Sequence, residues 1–126
     1  MTIDQEAEQL LRGAAADLTQ PRERECLTCF VVRMLDEFGC DNTLRFAARF
    51  RDLRAPRAKA LERRLGGIGG YCDCEVLLNA YQLSDHLLEP DDFGELLEPA
   101  RLPDCERVRL GSTQPCGQWQ RRRRGC

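Results

Sequence analysis

Two close cysteine pairs, Cys26-Leu-Thr-Cys29 and Cys72-Asp-Cys74, constrain this chain more than any other feature. Two short chelating arms joined by a long segment supply the donors of a tetrahedral thiolate metal site. A chain of 126 residues has a core small enough to gain much from such a staple. Eight cysteines in all exceed ordinary usage but fall below the density of a secreted disulfide scaffold. The opening Met1 to Glu8 carries three acids and no base, and it leads into no apolar run, so it does not read as a secretory signal. No stretch approaches the roughly 20 apolar residues of a membrane span. The expectation is a cytoplasmic protein without a membrane partner. There thiols stay reduced, and clustered cysteines bind metal or do redox chemistry rather than staple loops.

A net charge of −2 conceals strong blocks: −4 over residues 1–40, +5 over 41–70, −9 over 71–106 and +6 over 107–126. Such asymmetry marks either interaction surfaces or segments that face each other within one molecule, and near-neutrality overall favours the second. All the basic residues but Lys59 are arginine, a bias that points to a GC-rich bacterial genome.

Thr2-Ile-Asp-Gln5 reads as a capping box, followed by Ile3, Ala7, Leu10, Leu11, Ala14 and Leu18 at helical spacing. Pro21 suits the first turn of a second helix and Gly39 its end. Between them Cys26, Leu27, Phe30, Val31, Met34, Leu35 and Phe38 leave little polar face, so this helix is expected to be central. Asp41-Asn-Thr43 offers caps for a third helix that turns Phe46, Ala47, Phe50 and Leu53 inward. Pro56 interrupts it, and a fourth helix runs from about Arg57 to Leu65. Over 71–78, Cys72, Cys74, Val76 and Leu78 alternate with period two after Gly69-Gly70. That pattern predicts a strand, with Glu106-Arg-Val-Arg-Leu110 as its partner, although Cys74, Leu77, Leu78 and Tyr81 also fit a helix. The predicted fold is mainly α (α+β at most): three to four short helices around a cysteine-based metal site, with one short strand or hairpin near 71–78. The expected organisation is an N-terminal helix (1–20), a metal-binding core (21–83), an acidic loop region (84–110) and a disordered basic tail (111–126).

The expected metal ligands are Cys26, Cys29, Cys72 and Cys74. Cys26 and Cys29 share one face of a helix, and a strand would aim Cys72 and Cys74 at the same ion. Zinc is the first choice because it accepts all-sulfur tetrahedral sites and needs no assembly machinery. An Fe–S cluster also takes four thiolates. Cys40, or His86 as the one histidine, is the replacement ligand should one of the four fail. Cys105, Cys116 and Cys126 read as incidental. Asp73 and Glu75 fit either a general base and orienting group beside a metal-bound water or solvent-facing acids on the far side of a strand; the second reading is favoured. Asn79 and Tyr81 are candidates for supporting hydrogen bonds.

Gly69-Gly-Tyr-Cys-Asp-Cys-Glu-Val-Leu-Leu-Asn79, with Cys26-Leu-Thr-Cys-Phe30 and Phe38-Gly-Cys-Asp41 upstream, resembles an uncharacterised actinobacterial family of small cysteine-rich proteins, known as a domain of unknown function. The resemblance implies that the cysteine site is the family's hallmark and carries no activity with it. The helical C-x-x-C is also similar to that of zinc-containing anti-sigma proteins, in which a histidine stands four residues before it; here that residue is Arg22.

The function expected from these features is a small zinc-stabilised interaction or regulatory module with a protein partner. The alternatives are a thiol-based redox or metal sensor and a zinc-dependent hydrolase using Asp73 or Glu75. The Arg121–Arg124 run adds weak, non-specific nucleic-acid binding through the tail, with a pI near 5.5 weighing against a larger role for it.

Overall fold

The computed structural model describes residues 2–122. The capping box forms as expected: the Thr2 N–H donates to Gln5 Oε1 at 3.0 Å and the Gln5 N–H to Thr2 Oγ1 at 3.2 Å. It starts helix α1, Ile3–Leu18. Arginines from later elements hold the end of this helix and the turn after it. Arg49 donates to the carbonyls of Thr19 and Ala16, Arg33 to that of Gln20 and Arg54 to that of Pro21, all at 2.8–3.1 Å. The apolar stripe of α1 is not packed: Ile3, Leu10, Leu11 and Leu18 are all exposed.

Helix α2 spans Leu27–Phe38, beginning six residues later than Pro21 suggested. Residues 22–25 instead close a turn with Arg24 at φ 60°. The turn is held by Glu25, whose carboxylate accepts the Arg22 N–H at 3.0 Å and pairs with Arg33 at 2.7 Å. Cys26 therefore stands at the N-cap of α2 and Cys29 in its first turn. The core forms where the helical periodicity placed it in α2 and α3, except that Phe38 and Leu53, expected to face inward, are exposed. Leu27, Phe30, Val31 and Met34 of α2 pack on Phe46, Ala47 and Phe50 of α3 (Arg45–Arg54), on Leu61 and Leu65 of α4 (Leu61–Gly66), and on Val76. Phe30 meets Phe46 edge-on at 6.4 Å between ring centroids and Phe50 at 5.8 Å, a geometry that aromatic quadrupoles favour.

The predicted strand at 71–78 is helical. Asp73–Glu75 (α5) runs into a π-helical turn, Val76–Ala80, so the competing helical spacing of Cys74, Leu77, Leu78 and Tyr81 prevails. The strand begins three residues beyond 78, as β1 (Tyr81–Leu83), and its partner is β4 (Trp119–Arg121) rather than 106–110. A second two-stranded ladder joins β2 (Glu89–Pro90) to β3 (Leu96–Leu97) within the acidic region. Segment 111–122, expected to be disordered, is built into the molecule. Thr113, Cys116 and Gln118 are buried, and β4 pairs antiparallel with β1 in the register Tyr81↔Arg121, Gln82↔Gln120, Leu83↔Trp119. The rest of that expected tail, with Arg123, Arg124 and Cys126, lies outside the described residues.

Asp73 fixes the position of α5. It is wholly buried rather than solvent-facing, and its carboxylate accepts the Phe46 N–H at 2.9 Å and the Ala47 N–H at 3.1 Å. It thus caps α3 from 27 residues away. The local candidates do not serve: the α3 N-cap, Leu44, has no side-chain cap, and Asp41 is occupied by the Thr43 N–H and hydroxyl. The Asp73 N–H donates in turn to the Thr43 carbonyl at 3.0 Å. Burial pushes the Asp73 carboxyl up in pKa, with the two amide donors pulling against it.

Replacing Asp73 by Ala leaves two buried helix-terminal N–H groups without their acceptor, at an expected cost of about 2–3 kcal/mol. A lowering of Tm on the order of 10 °C would register it, whereas Glu75→Ala, whose partly exposed side chain meets Asn79, should change Tm little.

Candidate metal centre

The N-terminus of α2 presents Cys26 and Cys29 side by side, as their spacing predicts. The structure does not bring Cys72 and Cys74 to them. The remaining two sulfurs come from Cys105 and Cys116, which the sequence reading set aside. The Sγ atoms of Cys26, Cys29, Cys105 and Cys116 all lie within 4.8 Å of one another, and among the described residues only this group does so. The Cys29 and Cys116 sulfurs are 3.8 Å apart, the edge of a tetrahedron with metal–sulfur bonds of about 2.3 Å. Cys26 and Cys116 are buried, while Cys29 and Cys105 are partly exposed along a cleft of about 850 Å³.

Three of the four sulfurs receive an N–H donor. The Cys29 amide donates to Cys26 Sγ and the Cys26 amide to Cys105 Sγ, both at 3.4 Å. The Trp119 indole donates to Cys29 Sγ at 3.2 Å, and the Gln118 backbone N–H favours the ionised form of Cys116. Donors of this kind stabilise negative charge on sulfur, and the start of a helix adds its own positive potential at Cys26 and Cys29. The mutual hydrogen bonds of the four thiols split them. Cys116 is pulled far down by Cys105, Cys26 and Cys29; Cys105 is pushed up by Cys116 but pulled down further by Cys26 and Cys29. Cys26 and Cys29 are pushed far up, chiefly by Cys105 and then Cys116. Four negative charges at this spacing are not tolerable without a counter-charge, so the cluster must hold either protons or a cation.

The C-terminal segment is fastened around its two cysteines. Gln118, with no exposed surface, donates its amide to the carbonyls of Pro103 and Asp104, placing Cys105. The Gly117 N–H donates to the Glu106 carbonyl at 2.7 Å, and the Ser84 N–H to the Gln118 carbonyl at 2.7 Å. Arg122 caps the widened π turn through the Leu77 carbonyl. Sequence reasoning missed Cys105 and Cys116 because they are eleven residues apart, outside any common ligand spacing. A signal was present all the same: Pro103-Asp-Cys105 and Pro115-Cys-Gly117 place both thiols at turn residues, in a segment with no apolar period to hold it by other means.

The other expected site residues lie elsewhere. Cys72 and Cys74 flank Asp73, whose N–H donates to the Thr43 carbonyl, and neither is part of the four-sulfur group. His86 is exposed, with Nε2 3.4 Å from Glu106 Oε2, and is not part of the four-sulfur group. Glu75 accepts from Asn79 Nδ2 at 3.1 Å, and Asn79 also donates to the Gly69 carbonyl at 2.9 Å, so Asn79 does support the backbone. Gly69 itself is required by geometry: its φ is +90°, and a Cβ there would stand 2.9 Å from the Asn79 Cβ.

An uncharacterized protein of Mycobacterium bovis and uncharacterized proteins of two Mycobacterium tuberculosis strains are each 34% identical to this chain over 73 residues, covering 58% of this chain and 73% of theirs. Residues 27–79 match the family described as Protein of unknown function (DUF2695). The chain belongs to this family. The matched span holds Cys29, Cys40, Cys72 and Cys74, whereas Cys105 and Cys116 lie beyond it. No solved structure matches the chain. No helix among the described residues is long and apolar enough to cross a membrane.

Truncation before Gly111 removes Cys116, Gln118, Trp119 and the partner of β1. It is expected to lower Tm by more than 10 °C on the order-of-magnitude scale of a lost structural element. Thermal melts of the full and truncated chains check this; an unchanged Tm would place the segment outside the cooperative fold.

Proposed function

We propose that the protein is a zinc-stabilised interaction or regulatory module, with Cys26, Cys29, Cys105 and Cys116 holding one zinc ion. The observation that carries the reading is four sulfurs within 4.8 Å of one another, three of them with an N–H donor. That span suits one tetrahedral ion. The thiolates of a multinuclear iron–sulfur cluster bind separate irons and stand further apart, so the spacing favours zinc over such a cluster. Four protein sulfurs complete the coordination of zinc and leave no position for water, which supports a structural role. Of the two acids a hydrolase reading would use, Asp73 is committed to capping α3 and Glu75 accepts from Asn79.

The exposed apolar stripe of α1, formed by Ile3, Leu10, Leu11 and Leu18, supports a protein partner, because solvated apolar side chains along one helix face are a common mark of an interaction surface. A reducing compartment, the cytoplasm, fits a chain whose cysteines work as thiols.

Purified protein is expected to carry about one zinc per chain, lost in Cys26→Ser, Cys29→Ser, Cys105→Ser and Cys116→Ser but retained in Cys72→Ser and Cys74→Ser. Metal analysis of the six variants decides the ligand set, and zinc lost with Cys72 or Cys74 but kept without Cys105 would overturn it. Structural zinc contributes roughly 10–16 kcal/mol in small peptide sites, so chelation should lower Tm sharply. Because the ligands must be deprotonated, zinc affinity should fall as pH falls. A coloured protein containing iron would also sink the zinc assignment.

A further inference from the structure

A second cavity, of about 500 Å³, is bounded by α4, the β1–β4 ladder and segment 113–115, and its size is that of a small-ligand pocket. Its lining carries two charged side chains, Arg64 and Arg121, and no acid. That is unusual in a chain where Asp and Glu outnumber Lys and Arg by 21 to 19. The larger cleft beside the four sulfurs differs, since its five arginines are matched by five acids. Among the described residues neither Arg64 nor Arg121 pairs with a carboxylate. The fold builds the lining from two sides. Tyr81 and Arg121 stand directly opposite each other in the ladder, and Trp119 precedes Arg121 by two residues, so the three side chains share one face. Arg64 comes from α4, and its guanidinium donates to the hydroxyl of buried Thr113 at 3.2 Å. The Trp119 indole is fixed by its N–H, which donates to Cys29 Sγ. Leu61, Leu65 and Ile68 add apolar surface. Both cations bear on the Tyr81 phenol, whose pKa burial raises while Arg121 and Arg64 pull against it.

We propose that this cavity binds a small molecule carrying one phosphate monoester on a flat ring, the class to which nucleoside monophosphates belong. A phosphate monoester bears a charge of about −1.5 to −2 at pH 7, which two guanidiniums balance. A lone carboxylate would leave one guanidinium uncompensated, and the lining has no third cation for a second phosphate. Guanidinium forks match phosphate oxygens in pairs, so each arginine supplies direction as well as charge. Arg64 spends one nitrogen on Thr113, which orients its remaining donors. The ring finds its surface on Tyr81, Trp119 and the aliphatic side chains between them. Aromatic walls accept a flat ring by stacking whatever its polar edge. An occupant would also hold α4 to the segment that carries Cys116, whatever metal the four sulfurs take.

Trp119 is the one tryptophan of the chain, so its fluorescence reports on the cavity directly. The test titrates the full chain, with its metal as purified, with adenosine monophosphate, phenyl phosphate, adenosine and inorganic phosphate. The expected result is a saturable change in Trp119 emission with a phosphate ester, and binding roughly tenfold weaker or worse for adenosine and for inorganic phosphate. Arg64→Gln and Arg121→Gln should each weaken the ester by about tenfold or more, the loss of a charge-assisted contact. Arg101→Gln, in the larger cleft, should leave the affinity unchanged. Saturable binding of neither ester overturns the proposal. Adenosine or inorganic phosphate binding as tightly as the ester also overturns it, because one half of the ligand is then not recognised. An equal loss in Arg101→Gln moves the ligand to the larger cleft and overturns the site. Melting temperature and metal content show whether each variant folds. Should one fail to fold, the wild-type comparison of the four probes still decides.

Discussion

Beyond Leu83 the described residues add only Cys116 to the buried apolar core, so the hydrophobic effect that assembles α2, α3 and α4 has almost nothing to act on there. What holds that part is polar and sulfur chemistry: the β1–β4 ladder, the buried Gln118 amide, and two cysteines meeting two others at the start of α2. A segment of this kind cannot offset its own conformational entropy by burial. Convergence of the four sulfurs is the constraint on which its placement depends. The acidic composition of 84–106 and the basic composition of the residues after it follow the same logic, since neither block needs to enter the core.

The helical half was legible because its signals are local. The Thr2–Gln5 capping box, the periodicity through Phe30, Val31 and Met34, and the inward turn of Phe46, Ala47 and Phe50 each involve residues within two helical turns of one another, and all are found. The signals that misled were also local. Alternation over Cys72, Cys74, Val76 and Leu78 fits a strand, yet among the described residues no strand lies beside α5 to pair with it, and Asp73 gains more by reaching two amides of α3. Nothing near Arg45 in sequence reveals a cap supplied from residue 73.

The candidate site was half legible for the same reason. Cys26 and Cys29 announce themselves by spacing, but their sulfur partners are chosen by tertiary geometry, and the second close pair, Cys72 and Cys74, lies outside the four-sulfur group. The group of four is drawn together at the start of α2 with N–H donors on three of its sulfurs, surroundings in which thiolates suit a closed metal site.

The separation along the chain between the paired sulfurs sets a timetable for synthesis. Cys29 and Cys116 are 87 residues apart, so a ribosome adding roughly 5–20 residues per second exposes the first pair for about 4–17 s before the last of the four cysteines is made. Through that interval α2 can pack on α3 while Cys26 and Cys29 wait without their two sulfur partners. The protein's thiols are therefore most vulnerable to the wrong metal or to premature oxidation during translation, before the fold has closed over them.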